Sequence, residues 1–305
     1  MRMPRYYADF KCIADKCTHS CCVGWEIDVD EQTLGRYEQL SGEIGETICK
    51  SIEKEGESAH FRLGEEDRCP HLKENGLCRI ICALGEEYLC EICREHPRFY
   101  NLVDGEWEVG LGASCEEAAR LILSAEDYFI DREEALLVTK CAQNTDTYSI
   151  FDAKTWRFDL FCVLCDRTRT YEERIAQITR AYGVPVARSC EEHLALLGSL
   201  EYLDASHRAL FEGAYACEMP QGEHALLCER FLAYLVYRHA SPAESEADFR
   251  LGVGLALLIT EIFAALIGGE KGLLPVQAAR ILSEELEYSE ENTDAIRGFL
   301  TRAID

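Results

Sequence analysis

The chain has 305 residues, 48% hydrophobic and 29% charged, enough apolar material for one large domain or two ordinary ones and too much for wholesale disorder. Its 31 Lys and Arg against 56 Asp and Glu leave a formal charge of −25, which argues against nonspecific binding to nucleic acid or an anionic membrane. The polar opening MRMPRYYADFKC has no secretory pattern, and the expected location is cytoplasmic.

In chain order, Glu31 to Leu40 reads as a helix entered from Asp30 as N-cap, and Glu43 to Glu55 as a second. Phe61-Arg62-Leu63 and Trp107-Glu108-Val109 read as short strands. Ser114 is expected to cap a further helix, with Glu116 and Glu117 facing the positive end of its dipole. From there the hydrophobic period stays near 3.6: Glu133 to Cys141, Thr155 to Leu164, Thr170 to Tyr182, Cys190 to Leu203, Glu223 to Arg238, Glu246 to Ile267, Pro275 to Tyr288 and Glu291 to Ala303. Gly183-Val-Pro185, Met219-Pro-Gln-Gly222, Ser241-Pro242 and Gly268-Gly269 punctuate these helices. The longest apolar run, Leu251 to Gly268, is interrupted by Glu261 and reads as a buried helix ahead of a membrane span. The expected fold is mainly α: a small, irregular, Cys-rich metal-binding module (1–120) packed on an all-helical C-terminal domain (121–305).

Seventeen cysteines set the chemistry, and eleven of them fall in the first 115 residues: Cys12, Cys17, Cys21, Cys22, Cys49, Cys69, Cys78, Cys82, Cys90, Cys93 and Cys115. Without an export pattern, thiols this dense read as metal ligands before disulfides. The motifs are Cys17-Thr-His-Ser-Cys21-Cys22, Arg68-Cys69-Pro-His, Gly76-Leu-Cys78, Cys90-Glu-Ile-Cys93-Arg-Glu-His96-Pro-Arg98, and Ser114-Cys115-Glu. Adjacent Cys21 and Cys22 point in different directions, so one of the two serves a given metal. The thiols exceed the needs of one four-coordinate site, which permits two metals or one cluster with spare core cysteines. Spacing leaves zinc and iron–sulfur both open, although thiols arriving singly tilt the reading toward a cluster. His19 and His71 are expected in solvent, Trp25 and Trp107 in the core, and Arg98 near an anionic group. Cys162 and Cys165 read as core packing, with Cys141, Cys190, Cys217 and Cys228 mostly buried and reduced. No Walker loop, G-x-G-x-x-G after a strand, H-E-x-x-H or G-x-S-x-G occurs.

As a set, these motifs resemble the flagellin lysine-N-methylase (FliB) family, and the front part is similar to the zinc- or iron-chelating CxxxCC proteins. The resemblance covers the first ~120 residues in order. It implies an iron–sulfur enzyme, with a 4Fe–4S cluster or zinc as metal, that transfers methyl groups from S-adenosylmethionine to lysine ε-amines of flagellin. It also implies the metal motif Cys17, Cys21, Cys22, Cys69, Cys78, Cys90, Cys93 and Cys115. The alternative is a non-enzymatic chelating protein in which zinc or iron stabilises the Cys-rich module.

Overall fold

A computed structural model describes residues 1–56, 58–129, 151–184, 190–213, 219–268 and 272–302. The expected helix Glu133 to Cys141, and Cys217, lie outside the described residues. The chain divides into two compact units: Lys11–Pro97 with Cys115–Glu117, and Met1–Phe10 with Arg98–Ser114 and Ala118–Asp305.

The first unit contains all eleven early cysteines. Its elements are short: α1 (Glu31–Glu38), α2 (Gly42–Lys50), β1 (Ile52–Glu55), β2 (Ser58–Phe61), α3 (Arg79–Leu84) and α4 (Glu91–Glu95). Asp30 caps α1 as expected, its Oδ1 accepting the Thr33 amide at 2.9 Å. The helix expected through Glu55 stops at Lys50. Ser51 turns the chain, its hydroxyl donating to the Ile48 carbonyl at 2.7 Å, and Ile52–Glu55 pairs antiparallel with Ser58–Phe61. Gly56, at φ 62°, supplies the left-handed turn between them. Residues 27–29 run along β2, with Val29 N to Ala59 O at 2.7 Å and Phe61 N to Ile27 O at 3.0 Å. The buried core is Ile27, Val29, Tyr37, Ile48, Ala59, Phe61 and Ile80, joined by Cys69 and Cys90.

In the second unit, every regular element described after Leu111 is helical: α5 (Glu116–Ser124, whose first two residues belong to the Cys-rich unit), α6 (Ala153–Leu164), α7 (Tyr171–Tyr182), α8 (Cys190–Ser199), α9 (Ala205–Glu212), α10 (Gly222–His239), α11 (Glu246–Gly268), α12 (Pro275–Leu282) and α13 (Glu290–Thr301). The hairpin β3 (Arg98–Val103) and β4 (Glu106–Leu111) lies on α10, where the Tyr237 hydroxyl donates to the Val109 carbonyl at 3.1 Å. A capping box between Thr170 and Glu173 opens α7, and left-handed Gly183 closes it. α11 is long and apolar enough to cross a bilayer, and 72% of its most apolar stretch is buried inside the protein. Gly252 lets α11 approach the end of α10: a Cβ there would collide with the His239 carbonyl and lie 2.7 Å from Ala240 Cα. Trp156 packs between Tyr182 and Phe249, each 5.5 Å away by ring centroid.

Several expectations are corrected here. Ser114 does not cap α5, which starts at Glu116; its buried hydroxyl has no partner among the described residues. Trp107 is exposed, because it sits opposite Leu102 on the outer face of the hairpin. The α12 helix ends at Leu282 and widens into a π-helical turn, Ser283–Glu287. There Glu284, Glu285 and Glu287 are all buried and meet Arg280, His207, and Arg238 with His239. α9 carried no sequence signal because Phe211 is its only buried residue, too little for an apolar stripe. Cys228 is buried, whereas Cys162 and Cys165 are half-buried; none of the three is in a disulfide.

Candidate metal centre

Backbone pairing, more than helices, assembles the thiols. Cys69 N donates to Cys22 O at 2.9 Å, and Val23 bridges to Arg68, so the first and second motifs run side by side. The loop from Cys69 to Cys78 closes on itself through a Leu72–Cys78 bridge and the Arg79 amide on His71 O at 2.8 Å. Asp30 carries a second function: its Oδ2 accepts the Glu91 amide at 2.8 Å, anchoring the Cys90–Cys93 turn to the head of α1. The Tyr37 hydroxyl lies 3.8 Å from Cys90 Sγ and donates to Tyr88 O at 2.6 Å. Cys22, Cys69, Cys78, Cys90 and Cys93 therefore pack against one core, with Cys69 and Cys90 buried and the others half-buried.

A second neighbourhood forms at the start of α5. Glu116 Oε2 accepts Thr18 N at 2.7 Å, Thr18 Oγ1 at 2.8 Å and His19 N at 3.3 Å, holding the loop after Cys17 against the residue that follows Cys115. Cys17 lies within electrostatic reach of Cys115 and Cys12, and Cys21 of Cys115 and Cys12 as well. The eight cysteines of the resemblance thus fall into two groups, with Cys21 and Cys22 on either side of the divide and hydrogen-bonded to each other. Among the described residues, no three His, Cys, Asp or Glu side chains surround a point at metal-binding distance.

The electrostatics separate donors from acceptors. Burial pushes the Cys69 thiol up to about 11, opposed by the His71 and Leu72 amides that its sulfur accepts. Burial also raises Cys78, whose sulfur takes the Ile80 and Ile81 amides. The Cys21 thiol lowers Cys22 to about 7 against its burial, with help from Ser20 and Arg68. Cys93 lowers Cys90 in the same way, and in both pairs the donating partner is raised. Cys17 rises to about 12 through burial and then through Cys115 and Glu116. Soft sulfurs with backbone N–H groups already aimed at them suit zinc or iron, which bind thiolates and release protons on binding.

Sequence reasoning did not find Asp30's anchoring role, Tyr37 or Glu116; the Cys12-x4-Cys17 spacing was the available signal for Cys12. His71 is buried, not solvated: it stands edge-on to Phe61 at 4.7 Å, its Nε2 is 2.9 Å from Ser51 Oγ, and burial and then Arg79 hold it down at about 4. Arg98 donates to the Tyr7 hydroxyl at 2.9 Å and stacks over Phe10, within the helical unit.

Fold and thiols together define a mainly helical protein that carries an eleven-cysteine unit. It is related to the FliB lysine-N-methylases. The chain is 27% identical over 169 residues, 52% of its length, to the Lysine-N-methylase of Salmonella choleraesuis strain SC-B67, and likewise to that of Salmonella typhimurium strain LT2. The match covers 40% of those relatives' length. The Flagellar biosynthetic protein FliU of Salmonella muenchen is 29% identical over 133 residues, 41% of this chain and 77% of that protein. No family model and no solved structure matches the chain.

Proposed function

We propose that the protein is a cytoplasmic methyltransferase that moves methyl groups from S-adenosylmethionine to lysine ε-amines of flagellin, with an iron–sulfur cluster in its Cys-rich unit. The relationship to proteins named lysine-N-methylase carries this reading. The gathering of Cys22, Cys69, Cys78, Cys90 and Cys93 against one core supports the metal. These residues would supply the thiolates that hold it, and the bound cluster would supply a Lewis-acidic or redox-active centre. In the transfer the neutral lysine nitrogen forms the new N–C bond while the methyl–sulfur bond breaks and S-adenosylhomocysteine leaves. The ε-ammonium must first lose a proton, which a desolvated environment favours. An acidic surface of net charge −25 favours a lysine-bearing partner.

The test is anaerobic purification followed by iron analysis and a flagellin methylation assay read by mass spectrometry. A brown protein with about four iron per chain that adds 14-Da increments to flagellin lysines is the expected outcome. A colourless protein with stoichiometric zinc and no methyl transfer supports the chelating alternative instead.

A further inference from the structure

The helical unit holds a cavity of about 360 Å³, a size that encloses a small molecule. Its walls are one face of α7 and one face of α11, with Leu300 of α13 at the side. On α11 the lining residues Gly254, Leu257, Leu258 and Glu261 keep the i, i+3, i+4, i+7 spacing of a single helix face. On α7 the corresponding stripe is Glu172, Ile175, Ala176 and Arg180.

The two helices run antiparallel along the cavity. Tyr182 at the end of α7 lies 5.9 Å by ring centroid from Phe249 near the start of α11. Arg174, near the start of α7, binds Glu229 of α10 at 2.7 Å, and Phe231, two residues on, lies 4.5 Å by ring centroid from Phe263, toward the end of α11. Glu172 and Glu261 therefore share one end of the cavity and Arg180 stands toward the other, with Ile175, Leu257 and Leu258 between them.

Glu261 is the unusual member of this set. It interrupts the long apolar α11, and among the described residues its carboxylate has neither a hydrogen-bond nor an ion-pair partner. Its side chain stays exposed, yet the protein packed around it desolvates the carboxyl and pushes it up to about 7. Glu229 and Glu287, buried carboxyls of the same unit, are each matched by arginine. A desolvated carboxylate without such a match, facing an apolar slot, gains most from a cation that a ligand brings.

We propose that this cavity binds a primary alkylammonium, its nitrogen donating to Glu261 beside Glu172 and its carbon chain lying along Ile175, Leu257 and Leu258. A chain of about four to six carbons fits the roughly 10 Å rise from Gly254 to Glu261. Arg180 toward the far end repels a second ammonium, so a monoamine is preferred to a diamine. A free monoamine and a lysine side chain share this chemistry. The proposal lies wholly within the helical unit and rests on neither metal binding nor methyl transfer.

The full chain is titrated calorimetrically with n-pentylammonium at about pH 8 and about 0.15 M salt, where the amine is protonated, Glu261 is ionised and diffuse attraction to the acidic surface is screened. Wild-type protein should bind one equivalent saturably at millimolar concentrations. Glu261→Gln should weaken binding roughly tenfold to a hundredfold, and Ala176→Phe, which fills the cavity from an exposed position, should remove it. Glu55→Gln, an exposed acid of the Cys-rich unit, should change nothing. Wild-type protein alone gives a readout that needs no variant: 1-pentanol, the same chain without the charge, should bind at least roughly tenfold more weakly than the amine. Lysine blocked at both ends that binds as tightly as pentylammonium identifies a side chain as the occupant, whereas binding of pentylammonium alone identifies a free amine. No saturable binding to wild type, equal affinity for Glu261→Gln, or equal affinity for pentanol overturns the proposal, and each of these results leaves the function proposed above standing.

Discussion

Among the described residues Arg157 is the largest fully buried side chain, and Glu108, equally buried, answers it. The guanidinium grips the carboxylate with two bonds, 2.6 and 3.0 Å, donates to Ser241 Oγ at 3.1 Å and lies over the Tyr237 ring at 5.4 Å. Arg2 also lies near the carboxylate, 4.0 Å away and partly exposed. Glu108→Gln keeps the volume and removes the charge, leaving a buried guanidinium without its counter-ion, which costs about 3–5 kcal/mol. Arg157→Met leaves the carboxylate in the same predicament at a similar cost. The double variant removes both charges, so it should cost clearly less than the sum, with a coupling of about 2 kcal/mol or more. Urea melts followed by far-UV circular dichroism report the helical unit, and the fluorescence of neighbouring Trp156 reports the site itself. A Glu108→Gln cost below about 1 kcal/mol, or strict additivity in the double variant, would refute the assignment of this pair as a structural lock.

Other perturbations reach different parts of the structure. Burial pushes the Glu287 carboxyl up, but Arg238 and His239 outweigh it and hold it at about 2 against an ordinary 4.5. The unfolded chain therefore takes up that proton first, so the stabilisation is complete above pH 4.5 and is lost as pH falls from 4.5 to 2. It amounts to roughly 3 kcal/mol, and Glu287→Gln should flatten that acid limb in pH-dependent melts. Gly252→Ala should destabilise the helical unit by about 1–3 kcal/mol, because the new methyl meets backbone at the end of α10, which cannot move aside; thermal melts would show it. Asp30→Ala removes the α1 cap and the Glu91 anchor together, and should cost the Cys-rich unit about 2 kcal/mol and speed the reaction of Cys90 with a thiol reagent.

Helices with a broad apolar face, such as α6, α7, α10 and α11, were legible in the sequence to within a residue or two, and so was the Asp30 cap. What escaped depends on partners distant in the chain. The charged run Ile52-Glu-Lys-Glu continues a helical pattern until its pairing with Ser58–Phe61 is known. The π-helical turn needs His207 and Arg238, dozens of residues away, to neutralise the carboxylates it buries. Spacing identified the thiols as a set, but the division into two groups comes from the Cys22–Cys69 backbone pairing and the Glu116 clamp, which no local pattern announces.

The Cys-rich unit is not contiguous: it runs from Lys11 to Pro97 and resumes only at Cys115–Glu117. During synthesis its first ten cysteines emerge from the ribosome before the eleventh, and the Glu116 carboxylate that fixes the loop after Cys17 emerges later still. A nascent chain that has emerged as far as residue 100 thus displays ten thiols without the eleventh or the Glu116 carboxylate. Contacts of the loop after Cys17 with Cys115 and Glu116 have to wait until the segment 98–114, which belongs to the helical unit, has been made. A fragment cut at Pro97 would keep most of the motif cysteines and still lack Cys115 and the Glu116 carboxylate that holds the loop after Cys17.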